Sequence, residues 1–309
     1  TLGKLITLSH ITSTMIHATN GDNLIAMGAK ARGMGGTGIA VSHGAESALS
    51  NGALITSVES TEIAFGGTIF MPDINTEITG FGPSYNSDAD MNMIPEVSIA
   101  HKIDDNWFIG IGMWGTAGLG VDYSDATGSA NNFNMVTNLQ LMQFGVPIAY
   151  KTGGLSLAVT PIVQYGNLDI QYDGTGLGGG PTGAGLAQDF GFGYNLGLAY
   201  DFSANGITGL TLGVMYRSAI EMDYEPQLSK AMAGFGVTPF SDKLEQPEEY
   251  GVGLSYAMGQ HTFAFDYKKI KWSDAEGYGD YGWDDSDVYA VGYQYTENEW
   301  TVRLGYNHA

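Results

Sequence analysis

The sequence contains no cysteine, only 12 basic residues in 309, and no long apolar run. Without cysteine there are no disulfide bonds, thiolate metal sites or cysteine nucleophiles, which fits a chain exported through an oxidising compartment. The 33 acidic residues leave a formal charge of −21, and this excludes a nucleic-acid partner, because nucleic acids bind basic surfaces. No segment approaches the run of about 20 apolar residues that a membrane-spanning helix needs.

The sequence has alternation instead. From Phe190 to Tyr200, large apolar residues occupy every second position, with glycine, asparagine or alanine between them. Side chains alternate across a strand, so one face is apolar and the other small or polar. In later segments, the positions that alternate with the large apolar residues hold charged side chains as well as glycines. These charged residues are Arg217, Asp266, Lys268 and Arg303. A lipid-facing apolar surface around a polar lumen explains this pattern better than a soluble barrel does.

The connections between these segments are short and long in turn. The short ones are 103–106, 152–154, 203–207, 258–261 and 296–298, and the long ones are 71–92, 118–133, 173–188, 225–246 and 273–286. An outer-membrane barrel has tight periplasmic turns at one rim and long external loops at the other. The sequence therefore predicts an all-β protein, a transmembrane antiparallel β-barrel in the cell outer membrane.

Eleven strands are predicted, and the position of each boundary is fixed to within about two to four residues. They are 61–71, 93–103, 107–117, 134–151, 155–172, 189–202, 208–223, 247–257, 262–272, 287–296 and 299–308. Bacterial single-chain barrels have even strand numbers, and their last strand usually ends in an aromatic residue. We therefore expect the barrel, residues 59–309, to be incomplete at its C-terminus.

The N-terminal residues do not read as strands. Residues 1–18 resemble a secretory signal cleaved after Ala18, although they could also be part of a plug or a disordered terminus. Residues 19–58 have the size of a compact hatch inside a barrel. Within them, 26–38 is expected to be flexible, and 42–51 is expected to form a short helix.

An ordered set of motifs resembles one family. Ser50-Asn51-Gly52-Ala53 is similar to the Asn-Pro-Ala hatch motif of FadL-type outer-membrane transporters, with Gly52 in place of proline. Ile94-Pro95-Glu96-Val97 followed by Asp104-Asp105-Asn106-Trp107 resembles that family's second and third strands. Leu212 to Ser218 resembles its Gly-x-x-Tyr-Arg-Ser strand end. The similarity extends over most of residues 26–308.

The resemblance implies a fourteen-stranded barrel plugged by an N-terminal hatch, of which this chain would lack three strands. It implies passive transport of long-chain fatty acids or aromatic hydrocarbons, with lateral release through a gap at the third strand. Gly115, Gly118 and Gly120 are the candidates for that opening, and the alternative is that these glycines only end the strand. No cofactor is implied, and we expect a monomer.

Seven residues are candidates for contact with substrate. Leu228, Met232 and Phe235 lie at roughly helical spacing in a long external connection, and Phe240 follows them. These residues either form an apolar docking groove or pack the loop onto the rim. Trp114 precedes the glycine-rich stretch. Arg217 and Lys268 share the lumen phase and pair either with a substrate carboxylate or with Glu221, Asp266 or the hatch.

No catalytic or metal-binding constellation is present in the sequence, because the six histidines are scattered and the acids cluster in connections. The loop acids either keep the loops hydrated or share divalent cations with lipopolysaccharide. The predicted partners are thus a hydrophobic small molecule and outer-membrane lipid with its lipopolysaccharide. The alternatives are a general porin or surface adhesin, and a soluble glycine-rich lectin, which the loop asymmetry disfavours.

Overall fold

A computed structural model describes residues 19–76, 84–126, 133–175, 180–234 and 241–309. The strands are β1 (Thr19–Asn20), β2 (Asn23–Leu24), β3 (Thr61–Phe70), β4 (Asn75–Thr76), β5 (Tyr85–Asn86), β6 (Asn92–Lys102), β7 (Trp107–Asp122), β8 (Val136–Gly145), β9 (Ile148–Thr152), β10 (Leu155–Asp173), β11 (Pro181–Gly183), β12 (Ala187–Asp201), β13 (Leu210–Arg217), β14 (Glu249–Met258), β15 (His261–Ile270), β16 (Ser286–Glu297) and β17 (Trp300–His308). The α-helices are α1 (Ala29–Gly33) and α2 (Gln227–Gly234), and short 3-10 helices occupy Gly44–Leu49, Gly52–Ser57 and Phe202–Asn205.

The long strands form one antiparallel sheet in which chain neighbours pair. The order is β3, β6, β7, β8 with β9, β10, β12, β13, β14, β15, β16 and β17. β9 continues β8 beyond Val146 and Pro147 and keeps the same neighbours, β7 and β10. All eleven predicted strands are present, so the sequence pattern's prediction of hairpin-connected antiparallel strands is confirmed.

The outer face of the sheet exposes large apolar side chains, whereas a soluble barrel would bury them inside. Phe65, Phe192 and Trp300 are 80%, 74% and 82% exposed on the outer face. On β14 the phase that alternates with Tyr250 and Val252 is buried. Apolar side chains exposed in this continuous way are stable only against lipid, because contact with water would oppose folding.

One strand boundary differs from prediction because the chain turns into its own loop. β13 ends at Arg217 instead of extending to residue 223. The backbone N–H of Tyr194 donates to Ser218 Oγ, and Ile220 then pairs with Gln246. Ile220 lies where a side chain at Gly191 would be, so the small residues of β12 admit this returning segment.

The stretch 26–38 was predicted to be flexible, but part of it is α1. Its Ala29, Lys30, Ala31 and Arg32 favour helix, which outweighs the flanking glycines. The short helix predicted at 42–51 is the 3-10 helix Gly44–Leu49. α1 contacts both β3 and β17, which are the sheet edges and each pair with one strand in the described part of the chain.

Candidate functional site

Residues 19–58, called here the N-terminal segment, lie against the inner face of the sheet. The backbone of Ile39 occupies the space that a side chain at Gly213 would fill, and the backbone of Gly35 does the same at Gly305. These contacts join backbone to backbone. The glycine phase seen in the sequence is therefore what lets the segment approach the wall so closely.

Asn51 fixes the middle of this segment. Its side-chain oxygen accepts a hydrogen bond from the backbone N–H of Ala53 at 3.1 Å and caps the 3-10 helix that follows. Its amide nitrogen donates to the carbonyl oxygens of Ile39 at 2.7 Å and of Leu198 at 3.1 Å. A Cβ at Gly52 would lie 2.9 Å from Thr160 Oγ1, so that position is crowded by the wall.

Charged groups of the wall hold the segment at two further places. One oxygen of the buried Asp266 carboxylate accepts the backbone N–H groups of Gly38 at 2.7 Å and Ile39 at 2.9 Å. Glu96, 2% exposed, pairs with Arg32 of α1. Sequence analysis missed these anchors because no local motif reports a contact between residues so distant in the chain.

The wall has a gap between β6 and β7. The two strands pair from Lys102 with Phe108 as far as Glu96 with Trp114, and β6 then pairs only with β3. Pro95, the next residue of β6, has no backbone N–H to donate. β7 stays paired with β8 as far as Asp122, with a register shift between Gly115 and Ala117.

A returning loop closes the outer end of this gap. The backbone N–H of Asp88 donates to the carbonyl oxygen of Asp122 at 2.8 Å, and the N–H of Asp122 donates to Ser87 Oγ at 2.9 Å. The gap is thus a bounded opening between 92–95 of β6 and 115–121 of β7, called here the window. Gly115 faces Ile94 across it, and Gly118 and Gly120 lie further along the same edge.

The hairpin formed by β1 and β2 covers the window from within. Asn23 pairs with Ala117, and the backbone N–H of Gly118 donates to the carbonyl oxygen of Asp22 at 3.2 Å. On its other side the Asn23 amide donates to Glu249 at 3.1 Å and accepts from Gln246 at 2.6 Å. The hairpin takes the place of β6 as the partner of β7 here and links it to β14.

A small cavity lies behind the hairpin, and both predicted lumen cations line it. Its volume is about 30 Å³, and its lining includes Asn23, Thr116, Arg217, Glu249 and Lys268. Arg217 lies 3.7 Å from Glu249 and donates to the carbonyl oxygen of Leu49 at 3.3 Å. Among the described residues, no carboxylate lies within ion-pair distance of the Lys268 ammonium.

The other candidate residues lie outside this cavity. Trp114 is fully buried in a cluster with Leu49 and Met27, between the wall and the N-terminal segment. The predicted loop helix is α2, in which Leu228 packs into that same cluster and Met232 is half-buried. Phe235 and Phe240 lie outside the described residues, as do residues 1–18.

Several external acids are paired within their own loops. Lys271 binds Asp274 at 3.0 Å and Asp285 at 2.5 Å. Burial raises the pKa of Asp285, but the hydrogen bonds from Lys271 and Ser273 outweigh it and hold the pKa at about 2. The Asp285 carboxylate therefore stays ionised in mildly acidic solution and links the two ends of the loop.

Two further searches of the described residues were negative. No group of three or more His, Cys, Asp or Glu side chains is placed to hold a metal ion in this part of the chain. Within the same ranges, no helix is long and apolar enough to cross a membrane.

Known structures share this architecture. The toluene transporter TodX of Pseudomonas putida is 19% identical, with a TM-score of 0.70 over 93% of this chain and 84% of its own. The toluene transporter TbuX of Ralstonia pickettii is 17% identical, with a TM-score of 0.66 over 93% and 87%. A FadL homologue of Pseudomonas aeruginosa is 14% identical, with a TM-score of 0.62 over 95% and 80%. At such identities these likenesses show the fold.

Comparison with curated protein sequences found no significant match. A family model covers almost the whole sequence: residues 12–309 match the outer membrane protein transport proteins OMPP1/FadL/TodX. The resemblance found in the hatch and strand motifs is thereby confirmed, and with it the outer-membrane location of the barrel. The chain belongs to the OMPP1/FadL/TodX family of outer membrane transport proteins.

Proposed function

We propose that this barrel passes hydrophobic small molecules across the outer membrane by passive diffusion. In this proposal a molecule is captured among the external loops, enters the lumen and leaves sideways through the window into the bilayer. The related structures support the substrate class, because TodX and TbuX are named as toluene transporters and CymD as a monoaromatic hydrocarbon channel.

The observation that carries the proposal is the interrupted pairing of β6 and β7. Beyond Glu96 and Trp114 the described residues of β6 and β7 do not pair with each other, and such pairing is what seals a barrel against lateral passage. An apolar solute leaving there re-enters lipid without crossing the aqueous periplasm, and so keeps the free energy of being out of water. Gly115 and Ala117 are small residues at this edge, and Ile94 of the opposite edge takes the space that a side chain at Gly115 would fill.

We further propose that the N-terminal segment is the hatch. It contacts strands around the sheet, and the cavity behind the hairpin has a volume of about 30 Å³, room for one or two water molecules. A hydrocarbon needs more space than this cavity offers, so in this proposal the segment moves for a substrate to pass. This close packing also disfavours the alternative of a general porin, which requires an aqueous channel.

The charges in the cavity favour substrates that carry one acidic group. Among the described residues, Arg217 forms an ion pair with Glu249 at 3.7 Å, and Lys268 has no ionic partner. A carboxylate placed between them would gain two charge-assisted interactions, whereas an aromatic hydrocarbon would leave both cations as they are. In this proposal Arg217 and Lys268 bind the head group and α2, with Met232, contributes to external capture.

An uptake panel tests the proposal. Purified protein in lipid vesicles is compared with empty vesicles for uptake of long-chain fatty acids, alkylbenzenes and a small sugar. We expect hydrophobic compounds to enter faster only with the protein, and fatty acids to saturate at lower concentration than alkylbenzenes. Sugar entry at a matching rate would instead support a general porin.

A further inference from the structure

Asp22 is a buried carboxylic acid in the turn of the hairpin that covers the window. It is 4% exposed, and its Oδ2 accepts a hydrogen bond from the hydroxyl of Tyr278. Its Oδ1 has no hydrogen-bond partner, and no cation pairs with it, in the described ranges of the chain. A buried carboxylate without a cation is costly when ionised, and much less so when it carries a proton.

The hairpin turn is held by an external loop. Gly21 has φ of +76°, and the indole of Trp272 lies 2.8 Å from where its Cβ would be. Trp272 packs on Tyr278 with ring centroids 4.7 Å apart, and Trp283 completes the aromatic cluster of this loop, residues 271–285. The loop thus covers the turn with the indole of Trp272 and binds the Asp22 carboxyl through the hydroxyl of Tyr278.

Among the described residues, the other titratable groups that interact with Asp22 or its hairpin neighbour are neutral or acidic. Tyr224, on the segment that follows β13, interacts with Asp22 and with Asp189 of β12. Glu249 of β14 binds the neighbouring Asn23. On the β7 side the backbone N–H of Gly118 donates to the carbonyl oxygen of Asp22. None of these groups offsets a negative charge on the Asp22 carboxyl.

We propose that Asp22 and Tyr278 form a proton-dependent catch on the hairpin behind the window. With the Asp22 carboxyl protonated, the hairpin stays across the window and the exit is closed. When the carboxyl loses its proton, the uncompensated charge favours a position in water, and the hairpin leaves Ala117 and Gly118. This regulation rests on the proposed function, in which the window is the exit for substrate.

The sign of the pH dependence follows from the closed structure. Burial raises the pKa of Asp22 to about 6, and the hydrogen bond from Tyr278 offsets part of that rise. In an open state exposed to water the pKa returns towards its ordinary value of 3.8. The closed state therefore binds the proton more tightly, so acid closes the window and a rise in pH through about 6 opens it.

Opening can be measured without any substrate, because the chain has no cysteine of its own. In an Ala117→Cys variant the new thiol lies under the hairpin and reacts with a water-soluble maleimide only when the hairpin moves. Its labelling rate is divided at each pH by the rate in Ala117→Cys/Asp22→Asn, which cancels the reagent's own pH dependence. We expect this ratio to rise at least fivefold between pH 5 and pH 7.5.

Two further variants make the result specific. Asp284→Asn removes an exposed acid from the same loop and should leave the profile unchanged. Tyr278→Phe removes the hydrogen bond that favours the ionised carboxyl, so the midpoint should move to higher pH. A flat ratio, or an unchanged midpoint in Tyr278→Phe, overturns the catch. If the cysteine variant does not fold, amide hydrogen exchange of residues 20–24 in the cysteine-free chain gives the same comparison.

The same experiments distinguish failure of the catch from failure of the proposed function. If labelling follows pH as described while uptake of hydrophobic compounds does not, the catch stands and the window is not the exit. If neither vesicle uptake nor labelling depends on pH, the catch is wrong and the exit route is judged by uptake alone.

Discussion

Arg32 of α1 binds the buried carboxylate of Glu96 through both of its terminal nitrogens, at 2.5 Å to Oε1 and 2.8 Å to Oε2. Glu96 is also the residue of β6 at which the pairing with β7 ends on the side of the window. The ion pair therefore fastens the N-terminal segment to the wall at the point where the window begins. Such planar two-point contacts are among the stronger charged interactions in proteins.

Removing one partner of this pair should destabilise the barrel. Arg32→Ala leaves the Glu96 carboxylate buried and unpaired, and we expect the free energy of unfolding to fall by about 3–5 kcal/mol. Urea unfolding in lipid vesicles, followed by tryptophan fluorescence, measures the change. The double variant Arg32→Ala/Glu96→Gln should recover much of the loss, since it also removes the charge. If the double variant is no more stable than Arg32→Ala, the pair does not anchor the segment.

Lys268 should distinguish acidic from neutral substrates. Lys268→Met keeps the length of the side chain but removes the cation without an ionic partner, so half-saturation for fatty acids should rise at least tenfold while alkylbenzene uptake is unchanged. The matched control is Lys269→Met, since Lys269 already pairs with Asp287 at 3.3 Å. Equal effects on both substrates would show that Lys268 shapes the cavity without binding the substrate's carboxylate head group.

The window should be sensitive to volume at Gly115. Ile94 occupies the space that a side chain there would need, so valine forces Ile94 to move and narrows the window. We expect Gly115→Val to lower hydrophobic uptake at least fivefold while the heat-modifiable migration of a folded barrel persists. Ile111→Val, on the exposed face of β7 where that strand still pairs with β6, is the control and should transport normally. Normal uptake by Gly115→Val would place the exit elsewhere.

The lipid-facing assignment predicts an asymmetry on β12. Leu196 is 45% exposed on the outer face, and Asn195 is on the inner one. Near the bilayer midplane, arginine on the outer face should cost about 2–4 kcal/mol. Asn195→Arg should cost much less, because a polar lumen tolerates charge. Folding equilibria of the two variants in vesicles give the comparison, and equal losses would contradict the assignment.

The fold was predictable because its signals are local. Alternation between neighbours, such as Leu196 with Asn195 and Gly197, depends only on strand geometry. The end of β13 was not predictable, since residues beyond Arg217 keep an alternating pattern while pairing with residues near Gln246. Loop contacts more than twenty residues apart decide that boundary.

The site was only partly predictable for a related reason. The phase of Arg217 and Lys268 placed both on the lumen side, and both line the cavity. Asp22, Glu96 and Glu249 were not among the candidate site residues because each acts through a partner far along the chain. Trp114 was a candidate for substrate contact, and it is buried against Leu49. The spacing of residues in the sequence does not predict that contact.

The backbone contacts between the N-terminal segment and the wall restrict mutation on both sides of the contact. Where the carbonyl of Ile39 rests on Gly213, an added methyl group on the wall glycine would displace the segment's main chain. At the contact between Gly35 and Gly305, the φ of +67° at Gly35 and the backbone of Tyr306 exclude a side chain on the segment as well. In a collection of natural or engineered variants, we therefore expect intolerance to change at Gly213 and Gly305 on the strands and at Gly35 on the segment they contact.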